Sequence, residues 1–375
     1  MILLLLHALT SIGLHVPKLF FYVSTRMIFG QIFGLGLTIF LGKFFIRKLY
    51  ELKIGHTVRV SDVPALSEQY QKSVTVPSMG GILFITSILL SSLLWMDFAS
   101  PFSWILILSM VWMGAIGFVD DLAKIRKGKS FGIPGRTKFV LQVLFSLLLS
   151  VYMFSSLDLH PPAVDYAAQY YIPFFKKPII VSGGIGIVCA ALLTIFVITG
   201  STNAVNLSDG LDGLAAGLAL FVAMVLAIVA FLSNNVEISN YLNILYIEGS
   251  AEIAVFLCTL MGALLGFLWY NGYPAQIFMG DTGSLAIGAV LGVSAVLLRR
   301  EFLYALVGGV FVMETLSVIL QVASFKYRRG KRIFLCAPIH HHFQMKGWHE
   351  MKVVIRFWMI GLLLALIGLA SLKIQ

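Results

Sequence analysis

Ten apolar runs, most of them 18–24 residues long, recur along this chain of 375 residues, and that pattern constrains the fold more than any other feature. A run of roughly 20 apolar residues is what an α-helix needs to cross the hydrocarbon core of a bilayer. The runs lie near 19–42, 79–96, 102–120, 137–156, 183–203, 213–233, 250–269, 283–299, 302–325 and 353–373. With 59% of residues hydrophobic and 12% charged, a water-soluble globular fold and a disordered chain are both excluded. The expected fold is all-α: a single polytopic membrane domain, residues 1–375, of about ten transmembrane helices.

Placement of charge gives the expected sidedness. Antiparallel hops send loops 43–78, 121–136, 204–212, 270–282 and 326–352 to one side. That side receives 19 of the 27 Lys and Arg residues, so the positive-inside rule makes it cytoplasmic, with both termini on the outer (periplasmic) side. The net charge of +10 is therefore read as retention beside anionic lipid, with no nucleic-acid partner. Residues 1–18 have no basic leader and read as an interfacial segment. The proline-rich stretch 157–182 reads as an ordered outer loop, and the three scattered cysteines imply no disulfide framework. There is no P-loop motif and no internal repeat of the transporter kind.

Carboxylates are what the lipid pattern does not explain. Asp120, Asp121, Asp209, Asp212 and Asp281 come from three distant loops, yet all are expected at the cytoplasmic ends of spans. In GFVDDLAK (117–124) the pair can form a helix-end ion pair with Lys124, or hold a divalent cation. In NAVNLSDGLDGLAAG (203–217), Ser208 or Asp209 can cap the next helix. Capping leaves Asn203 and Asn206 unexplained, and amides, carboxylates and glycines around helix N–H groups also suit a sugar, a base or a phosphate. Asp281 reads either as the N-cap of the span that follows or as a metal ligand, and Phe278 offers a flat face to a base. Within 302–325, Glu314, Ser317, Gln321 and Ser324 form one polar stripe, suited to interhelical hydrogen bonds or to lining a groove. The histidines of APIHHHFQMKGWHE (337–350) lack the thiolate cluster and spacing of a zinc site and suit phosphate oxygens better. Oxygen ligands beside a phosphorylated substrate favour Mg²⁺.

VPSMGG (76–81), DDLAK, NAVNLSDGLDGLA, FMGDTGSLA (278–286) and PIHHHFQMKGWHE followed by RFW (356–358) together resemble the polyprenyl-phosphate N-acetylhexosamine-1-phosphate transferases, in their phospho-N-acetylmuramoyl-pentapeptide transferase branch. The resemblance spans nearly the whole chain. It implies ten spans in the bacterial inner membrane and transfer of phospho-MurNAc-pentapeptide from UDP-MurNAc-pentapeptide to undecaprenyl phosphate, giving lipid I and UMP with Mg²⁺. It admits a homodimer. By motif position it implies Asp281 as metal ligand and Asp120 and Asp121 as the catalytic pair near the metal. Asn206, Asp209, Gly210, Leu211 and Asp212 are implied as the nucleoside and diphosphate pocket, with Phe278 and Gln321 near the uracil. His340, His341 and His342 are implied as the catalytic loop, with Lys124 and Arg136 or Lys138 contacting anionic substrate. One motif departs from the family: Val76 and Ser78 replace two threonines, and Lys72 lies one place early, so it must reach to serve as the loop lysine. A UDP-GlcNAc transferase of the same superfamily and an ion-coupled transporter are the competing readings.

Overall fold

The computed structural model describes residues 17–52, 76–127, 132–154, 169–181 and 184–373, together with Leu6, residues 10–13 and residues 55–56. Among these, nine helices are long and apolar enough to cross a membrane. They are α1 (Val23–Glu51), α3 (Pro101–Lys127), α4 (Gly135–Phe154), α5 (Gly184–Ser208), α6 (Leu214–Ser233), α8 (Ala251–Asn271), α9 (Gly280–Leu297), α11 (Gly309–Tyr327) and α13 (Glu350–Ala370). A shorter apolar helix, α2 (Gly81–Trp95), and three of six or seven residues, α7 (Val236–Tyr241), α10 (Glu301–Val307) and α12 (Ile339–Met345), complete the helical set. Two antiparallel strand pairs are minor features: β1 (Gly55–His56) with β2 (Val76–Pro77), and β3 (Gln169–Tyr170) with β4 (Ile179–Ile180).

The central helices are α8 and α9, buried along most of their length. Small residues make this possible, because backbones approach closely where there is no bulky side chain. A Cβ on Gly288 would press on the backbone of Ser201 and Thr202 in α5, and one on Gly262 would collide with Gln31 in α1. Around this pair, α9 packs on α3 and α5, and α8 on α1 and α6.

A second set of polar contacts lies at the end of the bundle opposite the carboxylates. Arg26, at the start of α1, pairs with Glu252 at 2.6 Å, and Glu252 also accepts the Asp97 N–H. Arg300 stacks over Tyr171 of the β3–β4 loop, and Lys373 lies over Tyr241.

Three boundaries differ from the sequence expectation. The first span runs on to Glu51, where Arg47 and Glu51 pair at i, i+4. The third runs to Lys127, so Asp120 and Asp121 sit inside a helix rather than at its end. The expected span 302–325 is two helices, because Gly308 leaves helical geometry between α10 and α11; two successive glycines are weak helix formers. The short turn Arg299–Glu301, between the runs 283–299 and 302–325, is buried. Lys72, most of loop 43–78, most of segment 1–18 and residues 155–168 lie outside the described residues.

Candidate active site

The site begins with a backbone zipper. After β2 the chain bonds to the segment preceding α9: Phe278 N–H donates to Pro77 O, and the N–H groups of Gly80 and Gly81 donate to Phe278 O and Met279 O, at 2.8–2.9 Å. This lays VPSMGG across FMGDTG, two motifs 200 residues apart. Glycine is required at the crossing, since a Cβ on Gly81 would collide with Gly283.

The zipper sets the start of α9, and α3 caps it. Asp121 Oδ2 accepts the Thr282 N–H (2.9 Å) and hydroxyl (2.7 Å), while Oδ1 accepts the Asp281 N–H at 3.2 Å. A carboxylate over free N–H groups at the positive end of a helix is favourable on both counts. Asp281 is therefore not the N-cap considered from the sequence: the cap comes from α3. Nor do Ser208, Asp209 or Asp212 cap α6, which starts after Gly213 in left-handed geometry without a side-chain cap.

Freed from capping, Asp281 meets two lysines. Lys124 Nζ lies 2.9 Å from its Oδ1, and Lys138 Nζ lies 2.7 Å from its Oδ2. The same ammonium groups reach Asp120 Oδ2 at 2.7 and 2.9 Å, and Lys124 is 3.6 Å from Asp121. Asp120 Oδ1 accepts the Ile133 N–H, which ties the 132–134 turn to α3. Three carboxylates thus face two ammonium groups in a largely buried cluster. One ligand atom from each of Asp120, Asp121 and Asp281 falls within 4.8 Å of the others. An all-oxygen donor set of this charge fits a hard divalent cation of the Mg²⁺ kind. Lys138 joins the cluster, whereas Arg136 is exposed and outside it.

Beside the carboxylates opens a cavity of about 360 Å³, lined by Asp121, Lys124, Asn206, Asp209, Gly210, Leu211, Asp212, Phe278 and Asp281, with Ser78, Asn271 and Gly280. All five residues expected from 206–212 therefore line this cavity, together with Phe278. Asn206 donates to Ser284 at 2.8 Å, and Asp212 accepts the Ala275 N–H at 2.9 Å. Asn203, on the same helix, is drawn away to Gln142 of α4. Ser78 stands out in the sequence only as a departure from the family motif, and Asn271 and Gly280 carry no sequence-based expectation, although Gly280 stands within a resemblance motif.

Burial, reinforced by the charges of Asp281, Asp121 and Asp212, pushes the Asp209 carboxyl up to about 8, and burial with the Glu350 charge raises Asp212 to about 6. Between about 4 and 8 the folded chain holds a proton on Asp209 that the unfolded chain has released, so this group removes stability as pH rises through that window. Protein in EDTA is expected to lose thermal stability from pH 5 to pH 8. Asp209→Asn is expected to flatten the slope, read as Tm against pH; an unchanged slope would assign the loss to other groups.

The structure does not gather the remaining expected residues into the cavity. The Gln321 amide is occupied with the loop beside α11, accepting from Ile333 and Phe334 N–H and donating to Phe334 O, remote from Phe278. His342 accepts the Leu335 N–H, and His341 bonds Gln344. Burial and the neighbouring His340 ring bring His341 down to about 4, so it is neutral near pH 7. His340 is wholly buried, against the outer side of Gly210, where a Cβ would collide with its Nε2.

The chain is similar to known proteins over nearly its full length. The family described as glycosyl transferase family 4 matches residues 103–299. A phospho-N-acetylmuramoyl-pentapeptide-transferase of Protochlamydia amoebophila is 52% identical over 396 aligned residues, covering 96% of this chain and 97% of the relative. Proteins of the same name from Desulfotalea psychrophila (46% identical; 96% of each chain) and Francisella philomiragia (47% identical; 94% of each chain) are also similar over nearly their full lengths. Matches of this identity and extent carry the conclusion that the chain belongs to glycosyl transferase family 4, among its phospho-N-acetylmuramoyl-pentapeptide-transferases.

Proposed function

We propose that the protein transfers phospho-MurNAc-pentapeptide from UDP-MurNAc-pentapeptide to undecaprenyl phosphate, releasing UMP and forming lipid I, at the cytoplasmic face of a bacterial inner membrane. The carrying observation is the convergence of Asp120, Asp121 and Asp281 with Lys124 and Lys138 beside the cavity of Asn206–Asp212 and Phe278. The relatives' shared name and the basic loops flanking this end of the bundle support the same reading.

Two phosphorylated anions must meet, so positioning and charge compensation supply most of the rate. When bound, Mg²⁺ would supply Lewis-acid stabilisation of a diphosphate, held by Asp281 with Asp120 and Asp121. Lys124 and Lys138 are the cations already among those carboxylates, and their ammonium groups would bind substrate phosphate. Asn206, Asp209 and Asp212 offer hydrogen bonds to a nucleoside diphosphate, with Phe278 as a stacking face. Of the acidic pair, Asp121 is fixed by its bonds to α9, which leaves Asp120, held by Ile133 N–H and the two lysines, to take a proton from the acceptor phosphate. The groove beside α11, lined by Val318, Val322 and Phe325 with Lys326 and Arg332 at its rim, suits a prenyl chain.

The test is UMP release from UDP-MurNAc-pentapeptide by purified protein. Release is expected only with both undecaprenyl phosphate and Mg²⁺, and not from UDP-GlcNAc. Equal release from UDP-GlcNAc would move the protein to another branch of the superfamily, and solute flux without UMP would favour a transporter.

A further inference from the structure

The polar stripe of α11 contains a carboxylate that the transfer reaction as derived above does not use. Glu314 lies within a membrane-spanning helix and is wholly buried, an expensive place for a carboxylate without a purpose. Its Oε2 stands 3.0 Å from Nδ1 of His340, also wholly buried. Ser317 does not compete for the carboxylate, because its hydroxyl bonds the Glu314 backbone carbonyl. Among the described residues Glu314 Oε1 and His340 Nε2 have no hydrogen-bond partner. The Nε2 atom abuts Gly210, whose missing Cβ leaves only backbone between the imidazole and the cavity.

A carboxylate can only accept, so Nδ1 must carry the proton, and a ring held at Nδ1 has one tautomer and one orientation. We propose that Glu314 is a positioning residue: it reaches across from α11 to hold His340 with Nε2 directed at the Asp209–Gly210 wall, where the transferred diphosphate is bound. The inference rests on the transferase reading, because its effect is exerted at that wall. It also accounts for α12, a short helix whose residues otherwise bond mainly to their own loop, folding back against α11.

A double-mutant cycle on the full-length protein tests it, since residues acting as one unit are strongly non-additive. Glu314→Ala is expected to lower kcat about a hundredfold, with KM for the UDP-sugar within about twofold, and the loss is expected to vanish when measured against His340→Ala. Glu314→Gln, which keeps an acceptor for Nδ1–H, is expected to recover most of the rate. Multiplicative losses in the double variant, or a fall in Tm with kcat intact, would overturn the proposal. If the unmutated chain releases no UMP, the transferase reading fails instead, and the local claim is read from the ¹⁵N resonances of His340. A protonated Nδ1 that persists in Glu314→Ala would overturn it; loss of the single tautomer would support it.

Discussion

Asp281→Asn is expected to stop turnover, lowering kcat by more than about a hundredfold in saturating Mg²⁺, while the protein folds normally. The asymmetry follows from the charges. In the cation-free cluster Asp281 is the third carboxylate around two lysines, and neutralising it leaves Asp120 and Asp121 paired with Lys124 and Lys138. The asparagine keeps an oxygen and a donor in the same volume, and its backbone N–H remains capped by Asp121. Tm in EDTA is expected to fall modestly with the fold retained, because the two lysines lose a carboxylate held at 2.9 and 2.7 Å. Added Mg²⁺ is expected to raise the Tm of the unmutated protein by binding the folded state, and the variant is expected to lose that rise. Turnover near normal in Mg²⁺ would refute the metal role. Loss of turnover with the Mg²⁺-dependent Tm rise intact would instead make Asp281 a partner for lysine alone.

The acids were legible in the sequence because lipid punishes them: a carboxylate at the end of an apolar run needs a partner, and five from three loops on one side imply a common one. Their division of labour was not legible. Asp281 is a plausible cap locally and Asp121 is not; that Asp121 takes the cap depends on α3 lying against α9, a contact between residues 160 positions apart. Arg136 and Lys138 are two residues apart at the start of α4, on different faces, and only the packing of that helix sends one of them to Asp120. The Glu314, Ser317, Gln321, Ser324 stripe was correctly read as one helical face, but a stripe does not name its partners. They prove to be His340, a backbone carbonyl of the stripe itself, the 333–334 loop and Lys331 O. The break at Gly308 was likewise hidden, since paired glycines inside an apolar run are also ordinary packing positions in a membrane helix.

Gly117→Val is expected to damage the site without touching a polar group. A Cβ on Gly117 would collide with the carbonyl of Asp281 and press on Thr282 N, so α3 could not approach the start of α9. Overpacking of this kind costs about 1–3 kcal/mol and shifts backbone rather than one flexible side chain. The displaced atoms include those Asp121 caps, and the separation among Asp120, Asp121 and Asp281 is set by the same crossing. A misplacement of about 1 Å at a reacting centre can cost a hundredfold in rate, so kcat is expected to fall about that much while most of the folded population survives. Gly36→Val is the control: nothing lies within 4 Å of a Cβ at that position on α1, and wild-type kcat and Tm are expected. If Gly117→Val turned over at the wild-type rate, the α3–α9 crossing would not be what holds the three carboxylates together. Increasing Mg²⁺ is expected to recover part of the loss, because distorted ligands weaken the cation's affinity before they abolish it. A loss insensitive to Mg²⁺ would trace the defect to the Asn206–Asp212 wall.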